Sequence, residues 1–334
     1  MRYSTIDFNN KTVLITGGAG FIGSNLAFYF QDNFPECKIV VFDKFRTEER
    51  FSNGNLMSFG HFKNLIGFKG EVISGDITNQ KDIEKIKDYR FDFIFHQAAI
   101  SDTTLQDQKI MIDTNVNAFK NILKIAVEMN AGIVYASSGS VYGKLPAPHQ
   151  VGKEMPTNIY GFSKLMMDNL AYKYIQKFDI PIVGLRYFNV YGPGEFYKEK
   201  TASMVLQFGL QILRGENPKL FIGSDKIKRD FIYIDDIIQA NIKACNPRKS
   251  GVYNVGTGIA RSFQEIVDIL QLELKTSLLC EYIQNPYEKQ YQFFTQADIE
   301  NSYRFLDFTP KYSLEDGIKL DISYIKKIFD EELT

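Results

Sequence analysis

Near the start of the chain an apolar pentad, residues 12–16 (TVLIT), runs directly into glycines at three-residue intervals, Gly17, Gly20 and Gly23, and then into helical patterning as far as residue 31. This arrangement leaves few folds open. A short unbroken apolar run is how a strand buried on both faces reads. Glycine is required where a turn takes positive φ and where backbone must come close to a diphosphate, and a helix that starts there aims its N-terminus at the anion. Gly17, Gly20 and Gly23 are therefore expected to cradle a dinucleotide.

The same rhythm continues. Apolar runs at 38–42, 71–74, 91–96, 132–137 and 181–187 alternate with helical patterns at 81–87, 107–129 and 158–177. Alternation of this kind predicts an α/β fold, a Rossmann-like doubly wound parallel sheet with helices on both faces. Past residue 190 the alternation loosens. A helix over 203–213, a strand running into a helix start at 229–236, a strand at 252–254 and a helix capped by Ser262 and Glu265 are expected there. The expected division is a dinucleotide-binding domain over 1–188, rejoined by the chain at about 230–260, and a smaller α/β substrate lobe over 189–334.

Composition removes several function classes. Of 334 residues, 44% are hydrophobic and 24% charged, which excludes a disordered chain. Thirty-nine Lys and Arg against 40 Asp and Glu leave a net charge of −1, without the footprint of a nucleic-acid or acidic-membrane binder. Cys37, Cys245 and Cys280 form no pair in sequence, and His61, His96 and His149 are too scattered for a zinc site. Residues 1–10 lack the apolar core of a secretory signal, and no run of 18 apolar residues occurs, so a cytoplasmic protein is expected.

Candidate site residues follow the strand ends. Asp43 closes the second strand, where a carboxylate can hydrogen-bond a ribose 2′-hydroxyl and repel a 2′-phosphate. Lys44, Arg46 and Arg50 follow at once, and guanidinium forks suit a phosphate. Charge logic leaves NAD and NADP both open. Asp76 after the third strand can touch adenine, and Gln97, Ala98 and Ala99 after the fourth are small enough for a cofactor to pass. Ser138 ends the fifth strand. Tyr160 and Lys164 stand four apart on a predicted helix, hence on one face. A phenol is a poor base near neutrality, and a neighbouring ammonium favours its phenolate. His96, on an apolar strand, is read as a core residue.

Residues 16–23 (TGGAGFIG), 135–143 (YASSGSVYG), 160–164 (YGFSK) and 186–193 (RYFNVYGP) resemble the extended short-chain dehydrogenases that act on nucleotide sugars. Residues 198–204 (KEKTASM), 218–224 (PKLFIGS), 229–233 (RDFIY), 253–258 (YNVGTG) and 291–298 (YQFFTQAD) resemble more narrowly the family of ADP-L-glycero-D-manno-heptose 6-epimerases. The resemblance implies an NADP site lined by Phe21, Ile22, Asp43, Lys44, Arg50, Gln97, Ala98, Ala99, Ile100, Ser101 and Thr114, with Asn115 beside it. Tyr160, Lys164, Val190 and Lys198 would stand at the nicotinamide end. Asn189, Lys200, Gln207, Phe221, Ile222, Gly223, Ser224, Arg229 and Tyr291 would hold the ADP-heptose. Tyr160 and Lys198 match that family's acid/base pair. Gln207, Lys200 and Gln80 depart from it, standing where some members have His, Ser and Lys. The implied chemistry is transient oxidation at C6 and return of hydride to the opposite face. A 4-epimerase is the alternative, and a homo-oligomer is expected.

Overall fold

The computed structural model describes residues 3, 6–285 and 292–332. Its strands in chain order are β1 (Thr12–Thr16), β2 (Lys38–Asp43), β3 (Glu71–Ser74), β4 (Phe93–His96), β5 (Gly132–Ser138) and β6 (Ile182–Tyr187), then β7 (Asn189–Tyr191), β8 (Lys219–Phe221), β9 (Lys228–Tyr233), β10 (Gly251–Val255), β11 (Ala260–Ser262) and β12 (Glu281–Ile283). Seven of them make one parallel sheet in the order β10-β6-β5-β4-β1-β2-β3. Successive residues of β1 point to opposite faces: Val13 and Ile15 join one apolar cluster and Leu14 the other. A strand covered on both sides needs no polar alternation, which is why β1, β5 and β6 read as plain apolar runs. The edge strand β3 is largely exposed, as its glutamate and serine suit.

The helices are α1 (Phe21–Asn33), α2 (Gln80–Glu84), α3 (Gln108–Ile112), α4 (Ala118–Met129) and α5 (Ile159–Ile175), then α6 (Met204–Leu213), α7 (Ile234–Lys243), α8 (Phe263–Leu274), α9 (Glu300–Leu306) and α10 (Leu314–Glu332). Two differ from expectation. The segment 81–87 stays α-helical only to Glu84 and then tightens, with Lys85 N–H donating to Asp82 O and Ile86 N–H to Ile83 O. The pattern at 107–129 is interrupted by one wide π turn, Asp113–Asn117, between α3 and α4. That turn carries Asn115 into the interior, and its side chain binds the loop after β4.

Beyond β6 the chain builds a second sheet, β11-β9-β7, and a pair, β12-β8, with α6, α8 and α10 packed on one another. Ser203 caps α6, and Ser262 with Glu265 forms the expected capping box on α8. Between these elements α7 packs on α1, and β10 pairs with β6 in the main sheet.

The strand order reverses between β1 and β4: β2 and β3 lie to one side, β5, β6 and β10 to the other. A crevice at the carboxyl ends of the strands forms where an open parallel sheet reverses, and ligands bind there.

Candidate active site

That crevice is a cavity of about 560 Å³. Gly17, Gly20, Phe21, Ile22 and Gly23 form its floor at the end of β1. The glycines are there by necessity: a Cβ on Gly23 would lie 2.2 Å from Gly17 O, and one on Gly17, whose φ is +68°, would lie 2.7 Å from Ala98 N. The floor thus touches the loop after β4 with nothing between. No side chain caps α1, so its first amides face the cleft. A glycine cradle under an uncapped helix N-terminus fits a dinucleotide's diphosphate.

Asp43 and Lys44 at the end of β2 and Asp76 after β3 line the adjoining wall. Asp43 is buried, and its two oxygens accept N–H groups from Ala19 (2.9 Å) and Phe45 (2.7 Å). Burial raises its pKa, and those two hydrogen bonds oppose the rise. Lys44 pairs with Asp76 at 3.0 Å. Gln97, Ala98, Ala99, Ile100 and Ser101 continue the wall after β4, and Thr114 reaches it from the π turn.

Ser138, Tyr160, Lys164, Val190 and Lys198 meet at the other end, joined by Asn189 and Arg229. α5 positions the central pair: Asn158 caps it, accepting the Gly161 N–H at 2.8 Å, so Tyr160 and Lys164 stand one turn apart within its first two turns. Tyr160 hydrogen-bonds Ser138; burial raises the phenol's pKa and that bond lowers it. Lys164 is 2% exposed, donates to Ala136 O at 2.8 Å and stands 5.9 Å from the Tyr160 ring centroid. Burial lowers its pKa to about 8, with Asp168 pulling upward. Both partners are thus shifted toward their neutral forms by burial, contrary to the simple picture in which the ammonium only acidifies the tyrosine.

Lys198, on the 3-10 turn Phe196–Thr201, is half-buried above the ring of Phe21, its Nζ 5.6 Å from the centroid. Burial lowers its pKa and buried Glu195 opposes this. Arg229 is 6% exposed, over the Phe263 ring at 5.8 Å. Strand alternation turns its neighbour Asp230 to the opposite face, where Thr257, Gly258 and Ala297 donate to its carboxylate. The two therefore make no surface ion pair.

Several expected residues lie elsewhere. Asn115 is fully buried and does not line the cleft: its side chain accepts from Ile100 N (2.8 Å) and donates to Ile100 O (2.9 Å) and Ser163 Oγ (2.9 Å), so it shapes the wall from behind. Arg46 and Arg50 also stand off the cleft wall and reach Glu199. Lys200 is exposed, and Gln207 donates to Ala202 O at 2.7 Å. Phe221, Ile222, Gly223 and Ser224 form the end of β8 and the turn after it, outside the cleft lining. Tyr291 lies outside the described residues. His96 is in the core, its Nδ1 2.8 Å from Thr16 Oγ1.

Sequence reasoning missed the loop after β2, where Phe51, Leu56, Met57 and Gly60 close the cleft, and the buried carboxylates Glu195 and Asp168 beneath the two lysines. The position of Glu195, directly after a Gly-Pro-Gly turn and three residues before Lys198, was the available signal.

A glycine-cradled dinucleotide cleft with Tyr160, Lys164 and Ser138 at one end defines a class. The chain matches the NAD dependent epimerase/dehydratase family over residues 13–256 and belongs to it. Within that class it is 52% identical to the ADP-L-glycero-D-manno-heptose-6-epimerase of Helicobacter pylori, over 98% of this chain and 99% of that one, with a TM-score of 0.89. Similarity to the UDP-glucuronic acid 4-epimerase of Bacillus cereus is 26% identity over 95% of this chain and 99% of that one, TM-score 0.80. The UDP-N-acetylglucosamine 4-epimerase of Methanobrevibacter ruminantium is 25% identical over 96% and 99%, TM-score 0.84.

Proposed function

We propose that this chain inverts C6 of ADP-D-glycero-D-manno-heptose to give ADP-L-glycero-D-manno-heptose, with NADP held as a redox cofactor. The observation that carries the reading is the 52% identity to the Helicobacter pylori 6-epimerase through both lobes, twice that to the two 4-epimerases. NADP is favoured over NAD because Lys44, Arg46 and Arg50 cluster beyond Asp43, whose oxygens already accept two backbone N–H groups. In this reading residues 1–188 with the return at 230–260 hold the nucleotide cofactor, residues 189–334 hold the sugar nucleotide, and the protein works in the cytoplasm as a homo-oligomer.

The oxidised nicotinamide, when bound, supplies a hydride acceptor and later a hydride donor. The protein's part is to hold protons. The C6 oxygen occupies one place in one epimer and another after rotation about C5–C6, so an acid/base group must reach each. Tyr160, hydrogen-bonded to Ser138, serves one position, and Lys164 beside it steadies the phenolate. Lys198, across the cleft above Phe21, serves the second, with Glu195 stabilising its ammonium. Gly17, Gly20, Gly23, Phe21 and Ile22 hold the diphosphate, and Arg229 and Asn189 hold the sugar nucleotide. The resemblance assigns Lys200, Gln207, Phe221, Ile222, Gly223, Ser224 and Tyr291 to the same sugar nucleotide.

The test is incubation of purified protein with the ADP-heptose epimer and, separately, with UDP- and GDP-hexoses, without added reductant. Interconversion of the ADP-heptose epimers alone is expected. A Lys198→Met variant, which keeps the aliphatic stem, should retain nucleotide and lose epimerisation by at least about a hundredfold. Inversion of a UDP-hexose at C4 by both proteins would replace this reading with that of a 4-epimerase.

A further inference from the structure

The cations after β2 are already engaged. Arg46 Nη2 lies 3.4 Å from Glu199 Oε1 and Arg50 Nη1 lies 3.1 Å from Glu199 Oε2, contacts that span 153 and 149 residues of chain. Arg50 also donates to Gly54 O at 3.0 Å. The backbone of Arg46 is fixed beside Asp43: its N–H donates to Gly60 O at 2.7 Å, and a Cβ on Gly60 would lie 2.0 Å from Asp43 Oδ1.

Glu199 is itself held under constraint. It sits between Lys198 and Lys200 with φ 51° and ψ −126°, a conformation that glycine takes readily and a residue with a Cβ takes only when its surroundings over-determine it. The surroundings here are definite. Lys198 N–H donates to Glu195 O, and Ala202 N–H to Glu199 O, each at 3.0 Å. The Glu195 carboxylate is locked by Gly192 N, Ser203 N and Ser203 Oγ. Both ends of the turn are thus tied down, and two guanidinium groups pull the Glu199 carboxylate outward.

We propose that Glu199 is a built-in anion occupying the Arg46–Arg50 pair that takes the cofactor's 2′-phosphate, so that it is a specificity-determining residue for NADP against NAD. The proposal rests on the NADP reading above. A guanidinium fork accepts a carboxylate or a phosphate with the same geometry, and a dianionic phosphate is the stronger partner. Only a nucleotide carrying that phosphate can displace Glu199; NAD has nothing to offer the arginines. The carboxylate therefore sets a threshold that NADP must overcome. Its displacement loosens the pull on the residue next to Lys198, which joins cofactor choice to the acid/base segment.

The test is partition of the two nucleotides. Full-length wild type, Glu199→Gln and Glu199→Gly are each equilibrated with graded mixtures of NADP+ and NAD+, and the retained nucleotide is extracted and quantified. Removing one opposing charge from a partly exposed site should raise the retained NADP:NAD ratio by about five- to tenfold in both variants. Glu199→Gly also relaxes the backbone, so a rise common to both variants belongs to the charge. If wild type itself retains mainly NAD, the NADP reading fails. If wild type prefers NADP and neither variant raises the ratio, or either lowers it, the competition by Glu199 is overturned while the cofactor reading stands.

Discussion

At the scale of single residues the cleft is governed by what burial does to Tyr160 and Lys164. Burial pushes the phenol's pKa further up, against the Ser138 hydrogen bond, and brings the ammonium's down to about 8, against Asp168. Replacing Tyr160 by Phe removes one hydroxyl with little change of shape. The rate should fall by about a hundredfold or more while the nucleotide stays bound, measured as turnover against extracted nucleotide. Lys164 predicts a pH dependence. Its folded pKa of about 8 lies below the 10.5 of an unperturbed lysine. Between those values the unfolded chain binds more protons, so this group's destabilisation is complete below pH 8 and is relieved as pH rises toward 10.5. Activity runs the opposite way, because the step needs the charged form: kcat should fall as pH rises through about 8. Lys164→Arg should abolish that limb, and Asp168→Asn, which removes the anion that raises the lysine's pKa, should move it to lower pH. A limb unchanged in Lys164→Arg would assign it to another group.

At the scale of elements, the π turn between α3 and α4 decides the shape of the cleft wall. Wide turns of this kind cost regular hydrogen bonding and recur at functional sites. Here the turn delivers Asn115 to both backbone groups of Ile100, whose neighbours Ala99 and Ser101 line the cleft. Asn115→Ala leaves a buried N–H and a buried C=O unpaired. At about 1–3 kcal/mol each, a loss of about 2–6 kcal/mol in urea unfolding is expected. A loss below about 1 kcal/mol would show that water replaces the amide and that the turn holds the loop without it.

At the scale of the whole molecule, α10 closes the second lobe on α6, α8 and β9 through Ile318, Ile325 and Ile328. It also buries Asp321, whose two oxygens find no hydrogen-bond partner among the described residues. Burial, and then the nearby charge of Glu195, drives its pKa well above the usual carboxylate value. The folded chain therefore binds the extra proton, and stability is lost as pH rises from about 4 through the raised pKa. Asp321→Asn has no proton to lose. Its Tm should exceed that of wild type by a margin that widens between pH 5 and pH 8. A margin that stays flat across that range would mean that Asp321 does not titrate there.

The sequence by itself determined what depends on near neighbours in the chain. The glycine turn after β1, the four-residue spacing of Tyr160 and Lys164, and the capping box of Ser262 and Glu265 are set by local backbone geometry, and all three stand as read. The alternation of apolar runs and helical patterns settled the parallel sheet, because a strand covered on both faces needs no polar side. Only the tertiary structure decided which charges meet. Asn115 looked like a cleft residue until the π turn pointed it at Ile100. Arg46 and Arg50 looked available to a ligand until Glu199 came to them across half the chain. Lys198 meets the charge of Glu195, a carboxylate buried after the Gly-Pro-Gly turn and held there by Gly192 and Ser203. Such contacts join segments whose spacing in sequence carries no period, and they are chosen by the packing of the two lobes.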